Sequence, residues 1–263
     1  MSDLHSASAL AGATIVLTRT ADSAASLRSR VQARGGRVVC VPGLSLRATT
    51  DAGPLRKRVQ AAMNLAHAAI FISPAAVRFA FRLLPALAGM QPARVFAVGA
   101  GTQRALARHC VRALAPEGRS DSEALLALPE LADVRDRRIV LIGAAGGRDL
   151  LALTLAARGA QIETMHVYQR DPPRLLQRHF DGLAHAADPL LMLISSAAAL
   201  THLVALLPTA LLARLRRQTL VVSSARLAAI AREKGFAQIC VAASASPDDL
   251  LDAAQKALTR HRL

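Results

Sequence analysis

Residues Ile15 to Pro42 read IVLTRTADSAASLRSRVQARGGRVVCVP. The apolar run Thr14–Leu17 shows no outward polar alternation, which suits a parallel strand covered on both faces. A stretch of helical periodicity, Asp22–Arg34, follows and ends at Gly35-Gly36, where a left-handed cap is wanted. A second apolar run, Arg37–Val41, stops at the turn-like Pro42-Gly43. Strand, helix and strand in that order make a parallel βαβ unit.

The pattern returns later in the chain. From Ile139 the sequence reads IVLIGAAGGRDLLALTLAARGAQIETMH, and its helical stretch Arg148–Arg158 again ends at a glycine, Gly159. AAIFISPAAVRFAFRLLP, ending at Pro85, is answered by LLMLISSAAALTHLVALLP, ending at Pro208. VFAVGAGTQRALARH from Val95 is answered by VVSSARLAAIAREKG from Val221. Pairing Ile15 with Ile139, Ser73 with Ser195 and Val95 with Leu220 gives offsets of 124, 122 and 125 residues. Three segments holding nearly one offset point to two copies of one structural unit. The remaining expected strands are Ala69–Ile72, Arg94–Val98, Arg138–Ile142, Gln161–Val167, Leu190–Ile194, Thr219–Val222 and Gln238–Ala242. Helices are expected over Ala75–Leu84, Thr102–His109 and Arg226–Lys234. A last helix, from Ser246-Pro247 to Leu258, opens on a cap followed by proline at the first helical position. Its counterpart in the first copy is Ser120-Asp-Ser-Glu-Ala-Leu.

Copy boundaries and domain boundaries need not coincide. Turn-like breaks occur at Pro42-Gly43 and at Arg170-Asp171-Pro172-Pro173, each after the second strand of a copy. If the chain crosses near 42 and near 169–172, one α/β domain holds 43–168. The other is discontinuous and combines 1–41 with 171–263. The expected architecture is two similar, interleaved parallel-sheet domains with a cleft between them.

Composition narrows the function classes. An apolar fraction of 52% is ample for two buried cores, and the scarcity of aromatics (3%) leaves Ala, Leu and Val to build them. The net charge of +15 invites a nucleic-acid partner. However, the arginines are spread along the chain, and no basic tail or interleaved aromatic platform accompanies them. An acidic small molecule suits the charge at least as well. Cys40, Cys110 and Cys240 form no CxxC pair and have no histidine at ligand spacing, so free buried thiols in a reducing compartment and no metal are expected. MSDLHSASALAG lacks the basic and apolar regions of a signal peptide and reads as a short lead-in. Pro189–Ala213 carries no charged residue and is long enough to span a bilayer. Yet Pro208 interrupts it, and the matching helix of the first copy carries Arg78 and Arg82. A buried strand and a packed helix explain both copies, so a cytoplasmic protein is expected.

The order IVLTR, RGGRVVCVP, IFISPAAV, VFAVGAGTQRAL, an SxxALL segment, IVLIGAAGGRDLL, RGAQIETMHVYQR and LLMLISS resembles the uroporphyrinogen-III synthase family, from about Thr14 to Leu258. The resemblance implies two flavodoxin/Rossmann-like α/β domains joined by a two-stranded linker. It also implies a cofactor-free, cytoplasmic and monomeric lyase of porphyrin and haem biosynthesis. Such an enzyme closes hydroxymethylbilane, a linear tetrapyrrole polycarboxylate that the preceding pathway enzyme could hand over, and inverts the terminal pyrrole ring with loss of water.

Ligands of open α/β sheets sit at the carboxyl ends of the strands. There the sequence places Thr18, Arg19, Ser73, Gly99, Thr102, Arg148, Ser195 and Ser196, each beside the start of a helix whose N–H groups can hold carboxylates. Serine at such a junction is more often an N-cap than a ligand contact, and Arg19 and Arg148 are equally ordinary surface cations. Gly99-Ala-Gly101-Thr-Gln-Arg104 is an incomplete phosphate loop. Ser224 lies in Val222-Ser223-Ser224-Ala225, where the family often has Gly-x-x-Thr, which leaves its role open. Tyr168, the only tyrosine, falls at the expected domain crossing. The implied reaction begins with loss of hydroxide from a hydroxymethyl-pyrrole, which a phenol can assist as donor or general acid. The alternative for Tyr168 is an aromatic packed at the hinge. Two other functions remain open: a non-catalytic two-lobed receptor for an acidic small molecule, and a nucleotide-dependent enzyme.

Overall fold

Strands that are apolar on both faces need helices on both sides, and this chain supplies them by alternation. The computed structural model describes residues 9–90, 92–118, 121–146 and 149–261, apart from the side chains of residues 21–23 and 261. The start of the lead-in, Ser120 and Arg148 lie outside the described residues. In chain order the elements are β1 (Thr14–Leu17), α1 (Ala21–Ala33), β2 (Arg37–Cys40), β3 (Ser45–Ala48), α2 (Ala52–Leu65), β4 (Ala68–Phe71) and α3 (Pro74–Leu83). Next come β5 (Arg94–Ala97), α4 (Ala100–Ala107), α5 (Ser122–Leu126), β6 (Arg138–Ala144), α6 (Leu150–Ala157) and β7 (Gln161–Asp171). Then follow α7 (Gln177–Ala184), β8 (Leu190–Ile194), α8 (Ala197–Leu206), α9 (Thr209–Arg217) and β9 (Thr219–Val222). The chain closes with α10 (Ala225–Glu233), β10 (Gln238–Val241) and α11 (Pro247–His261).

Two five-stranded sheets result, ordered β10-β9-β8-β1-β2 and β3-β7-β6-β4-β5. In the first, β1 pairs in parallel with β2 and β8, and β9 with β8 and β10. Counted in its own chain order this is 2-1-3-4-5, a doubly wound arrangement. The second sheet repeats four of these places with exchanged parts: β6 and β7 stand where β1 and β2 stood, and β4 and β5 where β8 and β9 stood, while β3 is added outside β7 and β10 has no counterpart strand among the described residues. Each copy of the sequence repeat therefore gives its first two strands to one sheet and its later strands to the other. The chain divides into one unit reaching Ser45 and resuming at Asp171, and another of Leu46–Arg170.

In the first unit, strand alternation sends Ile15, Leu17, Leu191 and Leu193 to the face covered by α1 and α11, against Leu27, Val31, Leu250 and Leu251. Val16, Met192, Ile194 and Leu220 point the other way, against Leu200 and Leu203 of α8 and Leu227 of α10. In the second unit, Ile70, Ile139 and Leu141 meet Leu151 and Leu155 of α6. Phe71, Val140 and Ile142 meet Val59 and Met63 of α2 and Val77 and Phe81 of α3. Each fully buried Leu or Ile contributes roughly 1.5–3 kcal/mol against the chain entropy lost on folding.

Arginine fastens the helices of the first unit. Arg34 of α1 pairs with Asp252 of α11 at 2.7 Å. Arg214 of α9 donates to the carbonyls of Leu183 (2.8 Å), Ala184 (3.0 Å) and Ala186, and to Asp188 (3.1 Å), holding the α7–β8 connection.

The charge-free segment from Pro189 is β8, α8, Pro208 and the start of α9, and no helix among the described residues is long and apolar enough to cross a membrane. One expectation is corrected. The three cysteines are free, but Cys110 is exposed and Cys40 and Cys240 are only half-buried, because each sits at a sheet edge or helix end rather than inside a core.

Candidate functional site

In the first unit, the loops after the strands carry Thr18, Arg19, Gly43, Ser195, Ser196 and Ser224. Thr18 ends β1 and is buried; its hydroxyl donates to the Leu193 carbonyl at 2.7 Å, tying β1 to the end of β8. The Thr18 carbonyl accepts the Gly43 N–H at 2.9 Å. The Gly43 carbonyl lies 3.0 Å from Nδ1 of His202 on α8. A Cβ on Gly43 would stand 2.5 Å from the Ala199 Cβ and 3.0 Å from its Cα, so this turn reaches the first turn of α8 only as glycine. Ser196 and Ser224 cap α8 and α10, accepting the N–H groups of Ala199 (3.4 Å) and Leu227 (3.3 Å). Ser195 is half-buried, and its hydroxyl makes no hydrogen bond among the described residues. Arg19 is half-buried and donates to the Ala245 carbonyl beyond β10. Burial pushes its pKa below the usual value, yet a guanidinium stays charged at neutral pH.

In the second unit, the corresponding loops carry Ser73, Gly99, Thr102 and Gly143. Ser73 is half-buried and caps α3, accepting the Ala76 N–H at 3.0 Å. Gly99 precedes α4, and its carbonyl accepts the N–H groups of Thr102 and Gln103, each at 3.0 Å. Thr102 is buried on the first turn of that helix. A Cβ on Gly143, at the end of β6, would come within 2.2 Å of the outer atoms of the Ile72 side chain, which would have to turn away.

Tyr168 belongs to this second cluster. The β6/β7 register runs Gly143↔His166 and then Ala144↔Tyr168, so Val167 is the extra residue of a bulge. Alternation is broken there, and Val167 and Tyr168 are both buried in succession. The Tyr168 ring stacks on Phe79 of α3, with centroids 5.2 Å apart and planes at 15°. Its hydroxyl lies 3.1 Å from Ser73 Oγ, its one hydrogen-bond partner among the described residues. The residue is only 3% exposed, and either oxygen can donate in this bond. When the phenol donates, Ser73 Oγ accepts from both Tyr168 and Ala76 and its own O–H stays available to a ligand.

The structure therefore gathers Thr18, Arg19, Ser195, Ser196 and Ser224 in one cluster and Ser73, Gly99, Thr102 and Tyr168 in another, while Arg148 lies outside the described residues. Ser73, Ser196 and Ser224 are N-caps, and their hydroxyls remain able to meet a ligand. From sequence Gly43 reads only as a turn and His202 carries no signal, because the contacts that define them span 156 and 159 residues. Among the described residues no three His, Cys, Asp or Glu side chains gather as a metal site.

Comparison with known proteins completes the picture. The family model for uroporphyrinogen-III synthase (HemD) matches residues 25–252. The chain is 34% identical over 252 residues to the uroporphyrinogen-III synthase of Salmonella typhimurium, covering 92% of this chain and 99% of that protein. It is 37% identical over 169 residues to the Escherichia coli uroporphyrinogen-III synthase, covering 61% of this chain and 66% of that one. Two solved structures share the fold. They are uroporphyrinogen-III synthetase of Helicobacter pylori (TM-score 0.61, 14% identity, 92% of this chain and 98% of that one) and a mutant uroporphyrinogen III synthase of Thermus thermophilus (TM-score 0.57, 18% identity, 95% and 100%).

Proposed function

Because the chain belongs to the uroporphyrinogen-III synthase family, we propose that it closes hydroxymethylbilane to the cyclic tetrapyrrole with inversion of the terminal ring and release of one water. The observation that supports this reading most is the relationship to the Salmonella protein, which covers 92% of this chain and 99% of that one. The residues present suit the chemistry. A substrate rich in carboxylates calls for cations and helix N-termini, and each unit offers them at its strand ends. In the first unit these are Arg19 and the starts of α8 and α10; in the second, the starts of α3 and α4.

Departure of the hydroxyl from the hydroxymethyl-pyrrole needs a hydrogen-bond donor. In the arrangement where the phenol donates, Ser73 supplies it and Tyr168 stands behind Ser73 as the group that polarises its proton. Ser195, whose hydroxyl has no bond within the described residues, and Thr18, Gly99, Thr102, Ser196, Ser224 and Arg148 serve substrate binding. Most of the acceleration comes from holding a flexible, already reactive chain in one closing geometry. The same reading takes the protein as a cytoplasmic monomer that accepts the linear tetrapyrrole from the enzyme making it. The reactivity of the hydroxymethyl group, which favours direct transfer, supports that step. Complementation tests the proposal. A bacterial strain lacking its own uroporphyrinogen-III synthase should regain haem-dependent growth when this chain is expressed in soluble form. Continued auxotrophy with abundant soluble protein overturns it.

A further inference from the structure

The second unit contains a cavity of about 710 Å³ that no part of the proposed reaction uses. It lies between α4, the first residues of β5 and the return segment after α4. Arg94 begins β5, whereas Gly99 follows that strand's other end, so the cavity is at the opposite end of β5 from the candidate site. Three arginines from three segments line it: Arg94 from β5, Arg104 from α4 and Arg112 from the return segment. No Asp or Glu is among its lining residues. Each of the three is exposed, and none has an acidic or carbonyl partner among the described residues. Structural arginines elsewhere are engaged: Arg158 on the carbonyls of Leu126 and Leu131, Arg216 on that of Lys234, Arg214 on the α7–β8 connection.

The walls are built. The return segment is held to β5 by Leu114 N–H to Val95 carbonyl and Ala97 N–H to Leu114 carbonyl, both 2.8 Å. Gln103 on α4 donates to the Ala113 carbonyl, also at 2.8 Å. The C-terminal end of α4 would ordinarily repel an anion. Here its last carbonyls are occupied, Leu106 by the N–H groups of His109 and Val111 and Ala107 by that of Cys110. Cys110 makes this possible by adopting φ of 59°, and its side chain joins the cavity lining.

We propose that this cavity binds a small polyanion, a molecule carrying two or more phosphate or carboxylate groups. The volume suits a metabolite-sized ligand. Guanidinium groups on separate segments can fork onto separate oxyanions, a geometry that lysines would not impose. Cys110 gives a reporter within the site. With Cys40→Ser and Cys240→Ser in place, Cys110 is the sole thiol, and its reaction with the uncharged disulfide 4,4′-dithiodipyridine can be followed against added tripolyphosphate or citrate. Saturation by at least one of the two should slow the reaction roughly tenfold or more, since a polyanion held by the three arginines covers the thiol and excludes the reagent. Arg104→Gln with Arg112→Gln should weaken the apparent affinity at least about tenfold. Arg217→Gln, removing an exposed cation outside the cavity, should leave it unchanged. Protection by tripolyphosphate alone identifies a phosphate ligand, by citrate alone a carboxylate ligand, and by both a site that reads charge. No protection at millimolar concentrations, or equal weakening by Arg217→Gln, overturns the proposal.

Discussion

Replacing Tyr168 by Phe removes one oxygen and leaves the ring stacked on Phe79. The lost oxygen lies 3.1 Å from Ser73 Oγ, and Ser73 keeps its bond from Ala76. Stability should therefore fall by only about 1 kcal/mol, the net worth of one neutral hydrogen bond. The catalytic effect separates two roles. A phenol that itself protonates the departing hydroxyl would be worth roughly 10²–10⁴ in rate. A phenol that acts through Ser73 costs only about one hydrogen bond when it is lost, or roughly tenfold in kcat. Ser73→Ala does more: it strands the buried phenol and removes the α3 cap, costing about 2–4 kcal/mol of stability when both effects are added. Steady-state rates of cyclisation and urea unfolding for both single variants and the double variant form a complete cycle. Once Ser73 is gone, Tyr168→Phe should no longer lower kcat. Rate losses that simply multiply in the double variant, or a Tyr168→Phe enzyme with unchanged kcat, would refute the coupling.

Other parts of the structure make independent predictions. Gly43→Ala should destabilise the protein by about 1–3 kcal/mol, because the added methyl meets the Ala199 backbone of α8; urea unfolding reads this directly. Arg214→Lys should lower stability about as much as Arg214→Met, roughly 1–3 kcal/mol, since only a guanidinium spans three carbonyls and Asp188. His179 Nδ1 accepts the Leu176 N–H at 2.9 Å at the start of α7, and burial first, then Arg178, hold its pKa below the ordinary histidine value. The folded protein thus prefers the neutral ring. This contribution to stability is fully present above the unfolded-state pKa of about 6.5 and is lost as pH falls through the lower folded value. An NMR titration should find His179 below that reference, and His179→Gln should flatten the acid side of the stability profile.

How far the sequence spoke follows from where each signal originates. LLMLI at β8 is buried at all five positions, and such runs declare parallel strands without ambiguity. Five helices, α1, α3, α4, α6 and α10, could be placed to within two residues because glycine, proline and serine punctuate their ends, while α11 runs three residues past its expected end. β3 was silent, since SLRA is an edge strand with only half-buried or exposed residues and no apolar run to announce it. α9 was hidden for a different reason: Pro208 ends α8 and caps α9, so two helices share one charge-free stretch. The site was legible as residue types at strand ends but not as partnerships. Tyr168 stood out by being alone of its kind, whereas its burial depends on the bulge at Val167, which sequence alternation conceals. The Ser73–Tyr168 bond joins residues 95 apart, and no local pattern encodes it.

The central claim is that this chain governs ring closure, including the direction in which the terminal pyrrole is joined. The most direct measurement supplies freshly generated hydroxymethylbilane to the purified protein, oxidises the products to porphyrins and separates the isomers beside a protein-free control. Rapid formation of the type III isomer is expected, at the expense of the type I isomer that closure without inversion yields. Type I product alone, at the rate of the control, would contradict it.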